Sequence, residues 1–549
     1  MMRGRKIGTI AALGGSTAAL AMLTGLAGAR ADDLQINQQL LDTRIDQLAA
    51  VGLQPGQGAV FSVDQNPAAG AAVTAGSFPR SILIPGTDTS IKIYGQITEV
   101  LDYYMSGGGS AVNGSPQNTT VGDNGTLQSI SLRGTVASSR GNGVFLQSPR
   151  ESKIGFETRT PTPFGEARTV FEFDWAGSTT FAPGGSDPTS VSDNLLPRLR
   201  YAYGTLGGFL AGQATSNFSD PDANGETLDF GGNVGEPGHV RIPQVRYTMP
   251  AWWGASFSVS AETPDTIIAN PNGLEASDAG VVPILTTSCP TGATASVSTA
   301  TASTCTTALL TSGNTPLNIA KSTAPDLTAA WYLPQQWGHI DLSGVLRPGV
   351  DVTDGRFFDH QFIGYGGHIG VDIKPGWMGW VKDDFTVHFT VGDTIGPYLN
   401  SSTNFDVATN YGTSSTSSAA GTYGGLNVPA TAANAALIRF KPTQEMGAEI
   451  GYQHWWLDNL RSNLNGGFNA HYGIPISLVN ATGPGTVAAA SGGQAAAINK
   501  ELISAHANLI WNPVSFVDVG LEYTWGQRTV LNNQTATMNV LISKLAFRF

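Results

Sequence analysis

From Ser90 to the end, the chain alternates apolar and polar residues with a period of two, as a β-strand with one apolar face does. One segment, for example, sets Phe171 and Phe173 against Glu172 and Asp174. The pattern predicts about sixteen strands, and a count of fourteen or eighteen stays open because boundaries shift by about 2–4 residues. The candidates are 90–103, 150–160, 166–175, 196–205, 208–216, 240–249, 254–263, 325–333, 338–347, 361–374, 381–392, 444–456, 460–473, 499–511, 516–526 and 538–549.

The connections between these strands alternate between short and long. Seven are short turns, such as 206–207 and 457–459, and eight are long loops, such as 264–324 and 393–443. This alternation puts both ends of the predicted sheet on the short-turn side, which is typical of a transmembrane barrel with extracellular loops and periplasmic termini. A soluble β-sandwich is the alternative, but it has no reason to keep such a regular alternation.

Tryptophan clusters beside the short turns, where aromatic rings would settle at a membrane interface. Packing in a soluble core would instead spread these residues along the strands. The tryptophans concerned are Trp252, Trp253, Trp331, Trp337, Trp377, Trp380, Trp455, Trp456 and Trp511.

The two ends of the chain support export. Basic residues precede an apolar stretch from 7 to 27, and Ala29-Arg30-Ala31 fits a cleavage site, so we expect a signal peptide over 1–31. Residues 32–53 carry a heptad seam and predict a short helix, either a coiled coil or an isolated amphipathic helix. Residues 54–89 are predicted to be a linker, and 90–549 the barrel. No later segment approaches the roughly 18 apolar residues of a membrane helix.

Composition excludes one class of partner and leaves the fold open. The chain has 549 residues, of which 13% are charged, and a formal net charge of −12, which argues against nucleic acid. Cys289 and Cys305 lie in a Ser/Thr/Ala-rich stretch, and the expected oxidising compartment favours a disulfide over two free thiols. Neither cysteine has a nearby histidine, so no metal site is predicted, and no cofactor is expected.

In a barrel of this size, the polar residues of each alternating strand face a water-filled lumen. Strict alternation points Arg198 and Arg200 inward against Leu199, Tyr201 and Tyr203. It leaves Arg241 undecided because Pro243 disturbs the pattern. The predicted pore wall is Lys153, Arg168, Arg198, Arg200, Arg246, Arg347 and Lys544.

The third long loop, 217–239, is rich in acidic residues. We expect it to fold inward and oppose the arginine-bearing wall, which would create a field across the bore. Wall arginines would suit carboxylate solutes, since guanidinium binds carboxylate bidentately. The alternatives are ordinary solvated loop charges or a calcium site, although the loop lacks an EF-hand glutamate. The acids of this predicted constriction loop are Asp220, Asp222, Glu226 and Asp229.

Several segments resemble the DcaP-like family of outer-membrane porins. They include Leu83–Gly95, Ser152–Thr158, Arg198–Gly204, Glu226–Phe230 and Gly520–Gly526, and their order strengthens the match. The final strand, 538–549, likewise resembles the closing strand of outer-membrane barrels, in which the terminal Phe, here Phe549, signals to the barrel-assembly machinery.

The resemblance implies a homotrimer of sixteen-stranded barrels with a periplasmic N-terminal coiled coil and a preference for small anionic, dicarboxylate-like solutes. Lys153 and Tyr201 depart from the Arg and His expected in the family, which weakens the inference about solutes. The fold prediction is an all-β, transmembrane antiparallel barrel with a short N-terminal helical segment. It would lie in the bacterial outer membrane, in contact with its lipid and lipopolysaccharide.

Two other classes of function make different demands on the sequence. An outer-membrane enzyme would need a Ser/His or Asp/His constellation, but the eight histidines are scattered and neither Gly-x-Ser-x-Gly nor His-Glu-x-x-His occurs. We therefore expect no catalytic activity. A surface adhesin or structural outer-membrane protein stays the alternative, because the Ser/Thr-rich loops 111–126, 290–313 and 409–436 are unusually long.

Overall fold

The fold is described from a computed structural model of the chain. Residues 1–73 lie outside the described part, which comprises 74–107, 127, 130, 132–133, 141–177, 196–235, 240–270, 273–276, 285–288, 306–309, 319–353, 358–376, 379–399, 405–409, 422–423, 426–427, 439–475 and 498–549. The predicted signal peptide, the predicted coiled coil and both cysteines therefore fall outside the described residues.

Sixteen long antiparallel strands form the barrel, as the alternation predicts, and we number them β1 to β16. Each strand pairs with the next in the chain, so the wall is a simple up-and-down meander. The strands are Ser90–Ser106, Lys153–Thr162, Gly165–Gly177, Leu196–Leu206, Phe209–Thr215, Arg241–Trp252, Ala255–Glu262, Asp326–Gln335, Gly338–Thr353, Asp359–Ile373, Asp384–Asp393, Gln444–Leu457, Leu460–Tyr472, Asn499–Val514, Val517–Val530 and Thr535–Arg548.

The sheet closes between its first and last strands. β16 pairs with β1 from Gln96↔Arg548 to Ser106↔Asn539. The terminal Phe549 extends this seam, because its backbone exchanges two 3.1 Å hydrogen bonds with Gly95. Closure leaves no open edge, which is the condition for a β-structure to sit in lipid.

Alternation along the strands separates an apolar exterior from a polar interior. In β3, Phe171 and Trp175 are exposed while Glu172 and Asp174 are fully buried. The same pattern runs through β16, where Phe547 is exposed and Ile542 is buried. Among the described residues, no helix is long and apolar enough to cross a membrane.

Aromatic residues mark the short-turn rim, with one exception to the prediction. Trp253, Trp337, Trp380 and Trp456 are exposed there. Trp455 instead points inward: its Nε1 donates to Gln453, and the guanidinium of Arg461 lies 5.3 Å from its ring centroid. The expectation that Trp455 belongs to the rim is therefore wrong, because the side chain lies on the inner parity of β12.

Two of the predicted long loops are short. β15 continues to Val530 and β16 starts at Thr535, which leaves four residues where 527–537 was expected to be loop. β9 likewise runs to Thr353. These strands continue beyond the apolar band, where their outward residues no longer need to be apolar, so hydrophobic alternation does not mark their ends.

Several loop segments form small sheets of their own. Strands Ile267–Asn270, Gly273–Ala276, Val407–Thr409 and Phe440–Pro442 make one sheet of four. Leu285–Ser288 pairs with Thr306–Leu309, and the register places Ser288 opposite Thr306. These two residues are the sequence neighbours of Cys289 and Cys305, so the register supports the predicted disulfide, which itself stays a prediction.

The segment before β1 is more ordered than a linker. Ile82–Leu83 pairs with Ser90–Ile91, and Phe78 is buried beneath the guanidinium of Arg159, 4.6 Å from its ring centroid. Residues 74–89 therefore belong to the short-turn end of the barrel, whereas 54–73 lie outside the described part.

Candidate functional site

The third long loop lies inside the barrel. At its start, Ser216 Oγ and Asn217 N donate to the two oxygens of Glu262 on β7, at 2.7 and 2.8 Å. Phe218 is fully buried and packs edge-on against Tyr398, 5.4 Å between ring centroids. The loop then crosses the inner wall, because its later residues contact strands β9 to β16.

A row of inward glycines gives the loop room to approach the wall. A Cβ on Gly370 would lie 2.3 Å from Asp220 Oδ2, and a Cβ on Gly520 would lie 2.6 Å from Leu228 Cδ1. A Cβ on Gly467 would lie 2.6 Å from the carbonyl of Val234, and one on Gly451 would lie 3.0 Å from Gly225 Cα. Since real Cβ atoms are not found at such distances, these glycines allow the loop to seat against β10, β12, β13 and β15.

Two of the loop's acids pair with the wall of β9 to β13. Asp220 Oδ2 lies 2.7 Å from His339 Nε2. Glu226 accepts hydrogen bonds from Arg461 Nε at 2.7 Å and Nη2 at 2.5 Å. Burial by itself raises the pKa of Glu226, but the Arg461 guanidinium lowers it by a larger amount. The pKa of Glu226 therefore lies below its ordinary value.

The other two acids make local contacts. Asp229 Oδ1 accepts from Gly231 N at 2.8 Å, while Asp229 N donates to Glu522 at 3.3 Å. Asp222 donates its backbone N–H to Asp220. These contacts hold Asp229 against β15 and Asp222 against Asp220. The direct opposition of the loop acids and the wall arginines stays a prediction.

The loop tip meets the basic wall through an aromatic ring. The guanidinium carbons of Arg198 and Arg200 lie 5.1 and 5.8 Å from the centroid of Phe230. Both distances fall within the usual range of cation–π contacts. The loop thus joins its anchors on β9 to β13 to the opposite wall at β4.

A β-bulge in β4 changes which side chains face inward. Glu172 of β3 pairs with Tyr201, whereas the next residue, Phe173, pairs with Leu199, so Arg200 is the extra residue. Consequently Arg200 and Tyr201 both project inward, and Tyr203 follows on the same face. Tyr201 and Tyr203 are buried, and the prediction that they point outward is wrong because one inserted residue reverses the parity.

The bulge arginines share carboxylates from the neighbouring strand. Arg198 forms a fork with Asp174, at 3.1 Å from Nε to Oδ1 and 2.6 Å from Nη2 to Oδ2. Arg200 donates to Glu172 at 2.7 Å and to Asp174 at 2.8 Å. Arg198 is the most accessible of the wall cations, with 42% of its side chain exposed, compared with 12% for Arg200.

Three more cations complete this region, which we call the basic wall: Lys153, Arg198, Arg200, Arg241 and Arg246. Lys153 Nζ is 4.0 Å from Glu172. Arg246 donates to Gln244 at 2.9 Å and to the carbonyl of Thr215 at 2.5 Å. Arg241, which the sequence left undecided, lies with its guanidinium carbon 5.2 Å from the Tyr201 ring centroid.

The remaining predicted wall cations also lie inside the barrel but are engaged in structural contacts. Arg168 is 3% exposed and bonds Glu157 at 2.8 Å. Arg347 is fully buried and bonds Asp326 at 2.9 Å and Asp406 at 2.5 Å, tying a long loop to β8. The expectation that these two face an open bore is wrong, since their guanidinium groups are enclosed.

Lys544, on the closing strand β16, contacts the third loop. Its Nζ lies 2.5 Å from Glu151 and 3.5 Å from the carbonyl of Leu228, with 18% of the side chain exposed. Beside it, Val540 and Ile542 on the inner face of β16 pack with Leu228 of the third loop and with Leu127 of the first. The third loop is therefore not alone inside the barrel.

Sequence reasoning missed parts of this arrangement. Phe230 is uncharged, so a prediction based on charged residues did not include it. Strict alternation placed Tyr201 on the outer face. The inward glycines, including Gly370 and Gly520, were a usable signal, because glycine on the inner parity marks a close backbone approach. In the described part of the chain, no group of three or more His, Cys, Asp or Glu side chains is placed to hold a metal ion.

A closed sixteen-stranded barrel with an apolar exterior, a charged interior and a loop folded inside is the architecture of a bacterial outer-membrane channel. Residues 82–466 match the family model described as the porin subfamily. The chain therefore belongs to the porin subfamily and is an outer-membrane protein.

One solved structure supports the fold. The outer membrane channel DcaP of Acinetobacter baumannii superimposes with a TM-score of 0.56 at 20% identity, over 87% of this chain and 100% of that one, which confirms the fold expected from the DcaP-like resemblance. The anion-selective porin from Comamonas acidovorans gives 0.41 at 7% identity, over 84% and 100%. OmpT of Vibrio cholerae in its trimer form gives 0.39 at 8%, over 84% and 99%. No curated protein gave a significant match.

Proposed function

We propose that this porin is a water-filled channel for passive diffusion of small anionic solutes, dicarboxylates in particular, and that its third loop narrows the bore. The observation that carries the proposal is the basic wall, which gathers five cationic side chains on one side of the lumen, beside the carboxylates of Glu172 and Asp174. This concentration of cationic side chains attracts anions, and Arg198 is exposed enough to meet them.

The opposite side of the barrel carries the compensating negative charge. Asp220 and Glu226 of the loop sit there, and so do the buried wall acids Asp341, Glu445 and Glu449. Several of these acids are neutralised by Arg461 or His339, so the field is weaker than a bare row of acids would give. An excess of positive charge on one side and negative charge on the other still orients a dipolar solute as it passes.

The loop tip supports the narrowing. Phe230 reaches the basic wall from anchors on the other side of the barrel, so solutes must pass beside its ring. A dicarboxylate fits this point because one carboxylate can form a fork with an exposed guanidinium while the other stays near a second cation. Lys153 and Tyr201 then belong to the solute path.

The proposal extends to assembly and location. We infer a homotrimer whose heptad-bearing segment 32–53 forms a periplasmic coiled coil, with the barrel in contact with outer-membrane lipid and lipopolysaccharide. Phe549, which is 53% exposed beside the closing seam, is accessible for recognition by the barrel-assembly machinery. No catalytic step and no cofactor belongs to this proposal.

The deciding experiment is single-channel recording in planar bilayers under a salt gradient. We expect a reversal potential that favours anions, and we expect this preference to shrink towards zero in the combined variant Arg198→Ala, Arg200→Ala, Arg246→Ala. The matched control, Lys321→Ala, Lys374→Ala, Lys500→Ala, removes three positive charges from the barrel ends and should keep the preference.

Two outcomes would contradict different parts of the proposal. An unchanged reversal potential in the arginine variant would exclude the basic wall as the source of selectivity. Folded, heat-modifiable protein without any conductance would exclude a channel and favour the adhesin alternative.

A further inference from the structure

The segment before β1 extends the wall at the short-turn mouth of the barrel. Its short strand Ile82–Leu83 pairs with Ser90–Ile91 at the start of β1. β16 ends nearer the middle of β1, where Arg548 is paired with Gln96. The short strand therefore occupies the position beside β1 that lies beyond the end of β16, and the loop 76–81 precedes it at the rim of the bore.

The loop 76–81 lies on the lumen side of this wall. Ser90, like Thr98, is fully buried on the inner face of β1. The backbone N–H of Ser77 donates to Ser90 Oγ at 2.9 Å. A Cβ on Gly76 would lie 2.9 Å from Ser90 Cβ, so the backbone of the loop is in close contact with the inner face. The loop therefore takes up space inside the mouth.

Phe78 seats the loop against the neighbouring strand. Its ring centroid lies 4.6 Å from the guanidinium carbon of Arg159 on β2, and Phe78 is only 9% exposed. Because Arg159 is the register partner of Ser90, Phe78 reaches across the inner face from β1 to β2. Arg159 is itself oriented by Glu157, to which its Nε donates at 2.8 Å. These contacts give the loop a fixed place at the mouth.

Arg80 follows Phe78 in a strained turn. Ser81 donates its N–H and its hydroxyl to the carbonyl of Phe78, at 3.2 and 2.5 Å. Arg80, inside this turn, has a φ of 60°, a left-handed backbone that favours glycine. Such strain persists where the surrounding bonds hold the backbone, and it is concentrated at functional sites. An arginine at this position is therefore a candidate functional residue.

The side chain of Arg80 is exposed at the mouth, and it makes no hydrogen bond or ion pair with the residues that the structure describes. Arg159 and Lys92 lie further along the same inner wall, and Lys153 of the basic wall lies beyond them. Lys153 and Arg159 are about 20 Å apart along β2, at roughly 3.3 Å per residue. Cationic side chains therefore follow one side of the lumen from the basic wall to the mouth.

We propose that the loop 76–81 narrows the short-turn mouth and that Arg80 determines selectivity there, as a cation that anionic solutes meet after the basic wall. The inference rests on the proposed anion channel and adds a second selective position to its solute path. Small carboxylates fit Arg80 because an exposed guanidinium donates two parallel N–H groups to a carboxylate. Arg159 is less suited to this role because Glu157 already accepts from it.

Conductance at two salt concentrations tests Arg80. The full-length protein is recorded in planar bilayers in potassium chloride at about 0.1 M and about 1 M, where the fields of exposed charges extend about 10 Å and about 3 Å. We expect Arg80→Ala to lose conductance at the lower concentration, because fewer anions gather at the mouth, and to match the wild type at the higher one. Arg80→Lys keeps the charge and should match the wild type at both concentrations.

Lys374→Ala is the matched control for the loss of charge. It removes one positive charge just after β10, on another side of the same rim, and should leave both conductances unchanged. A loss at the lower concentration equal to that of Arg80→Ala would overturn a specific role for Arg80.

Phe78→Ala tests the narrowing independently of charge. Without the ring, the loop loses its contact with Arg159, so the conductance at the higher concentration, where charges are screened, should rise. Phe164→Ala removes an exposed ring at the short turn between β2 and β3 and should leave this conductance unchanged. The same conductance in Phe78→Ala and in the wild type would overturn the narrowing.

The failure of this inference can be distinguished from the failure of the proposed function. If Arg80→Ala conducts like the wild type at the lower concentration, Arg80 does not determine selectivity, whereas a wild-type reversal potential that favours anions would leave the basic wall proposal intact. If the wild type shows no preference for anions, the proposed function fails and the role of Arg80 fails with it.

Discussion

Glu226 shows how one side chain fixes the third loop. Its carboxylate accepts two hydrogen bonds from Arg461, and Asn463 and Gln453 donate to it at 3.2 and 2.8 Å. Hydrogen bonds to charged groups contribute about 1.5–3 kcal/mol each, so this cluster can hold the loop against the wall.

The titration of Glu226 predicts how the loop responds to pH. Because its folded-state pKa is depressed, the stabilisation from Arg461 is fully present above the ordinary glutamate pKa of about 4.3 and is lost only as the pH falls below it. We expect open-channel current noise to stay constant from about pH 8 to pH 5 and to rise below about pH 4. Glu226→Ala should be noisy throughout.

The measurement is single-channel recording across this pH range, with Glu166→Ala as the control. Glu166 lies at a short turn and has 43% of its side chain exposed, so its removal should leave the noise profile unchanged. Constant noise down to pH 3 in the wild type would show that Glu226 does not hold the loop.

At the scale of elements, the third loop and the wall beneath it form one unit. The loop follows a path set by glycines on β10, β12, β13 and β15, and its tip crosses to β4. Because the loop lies against the wall, a bulkier residue under it pushes the loop towards the centre of the bore. The wall is too well paired to yield in its place.

Gly520→Val tests this packing. The new Cβ would lie 2.6 Å from Leu228, so the loop must move inward and the single-channel conductance should fall. Gly466→Val is the matched control, since a Cβ at this outward position meets nothing closer than 3.8 Å. The two conductances, recorded in the same salt, should differ, and equal values would mean that the loop does not narrow the bore at Leu228.

The bulge in β4 inserts a single residue but changes which side chains of the strand face the lumen. By placing Arg200 and Tyr201 on one face, it concentrates two functional side chains where alternation allows one. On the outer side, the amide of Gln213 donates to the carbonyls of Leu199 and Arg200, at 2.9 and 3.1 Å. These two hydrogen bonds satisfy backbone carbonyls beside the β-bulge, which lipid cannot do because it has no hydrogen-bond donors.

At the scale of the whole molecule, charge is separated by location. The chain carries a net charge of −12, yet the basic wall gathers five cationic side chains on one side of the lumen. If this wall selects the ions, as we propose, the overall charge does not decide which ions the channel prefers. Local groups do so because a low-dielectric surrounding focuses their field on the bore.

Assembly is the other property of the whole molecule, and the N-terminal seam makes it testable. We expect Leu41→Asp with Leu48→Asp to break the predicted coiled coil and to lower the temperature at which the oligomer dissociates on gels, while the barrel still folds. Gln39→Asp with Gln47→Asp adds the same charges outside the seam and should leave that temperature unchanged. Equal losses in both variants would exclude a seam-specific role.

The sequence by itself determined the barrel. Period-two alternation, with its alternating short and long connections, predicted about sixteen strands, a closed barrel and the inward placement of Arg198, Arg246 and Lys544, and the structure has these features. Each depends on residues that are near neighbours in the chain. The family resemblance added the porin class. A strict alternation cannot reveal a β-bulge, however, because one inserted residue reverses the faces of the residues after it. The prediction of outward faces for Tyr201 and Tyr203 was therefore wrong.

Only the tertiary structure decided which charges meet. Glu226 and Arg461 are separated by 235 residues, and Leu228 and Glu522 by 294, and no local pattern brings such pairs together. Burial of Arg347 likewise follows from a long loop that folds back and places Asp406 beside it. The strands can be predicted because their hydrogen bonds are periodic, whereas the path of a loop depends on the shape and charge of the wall that it meets.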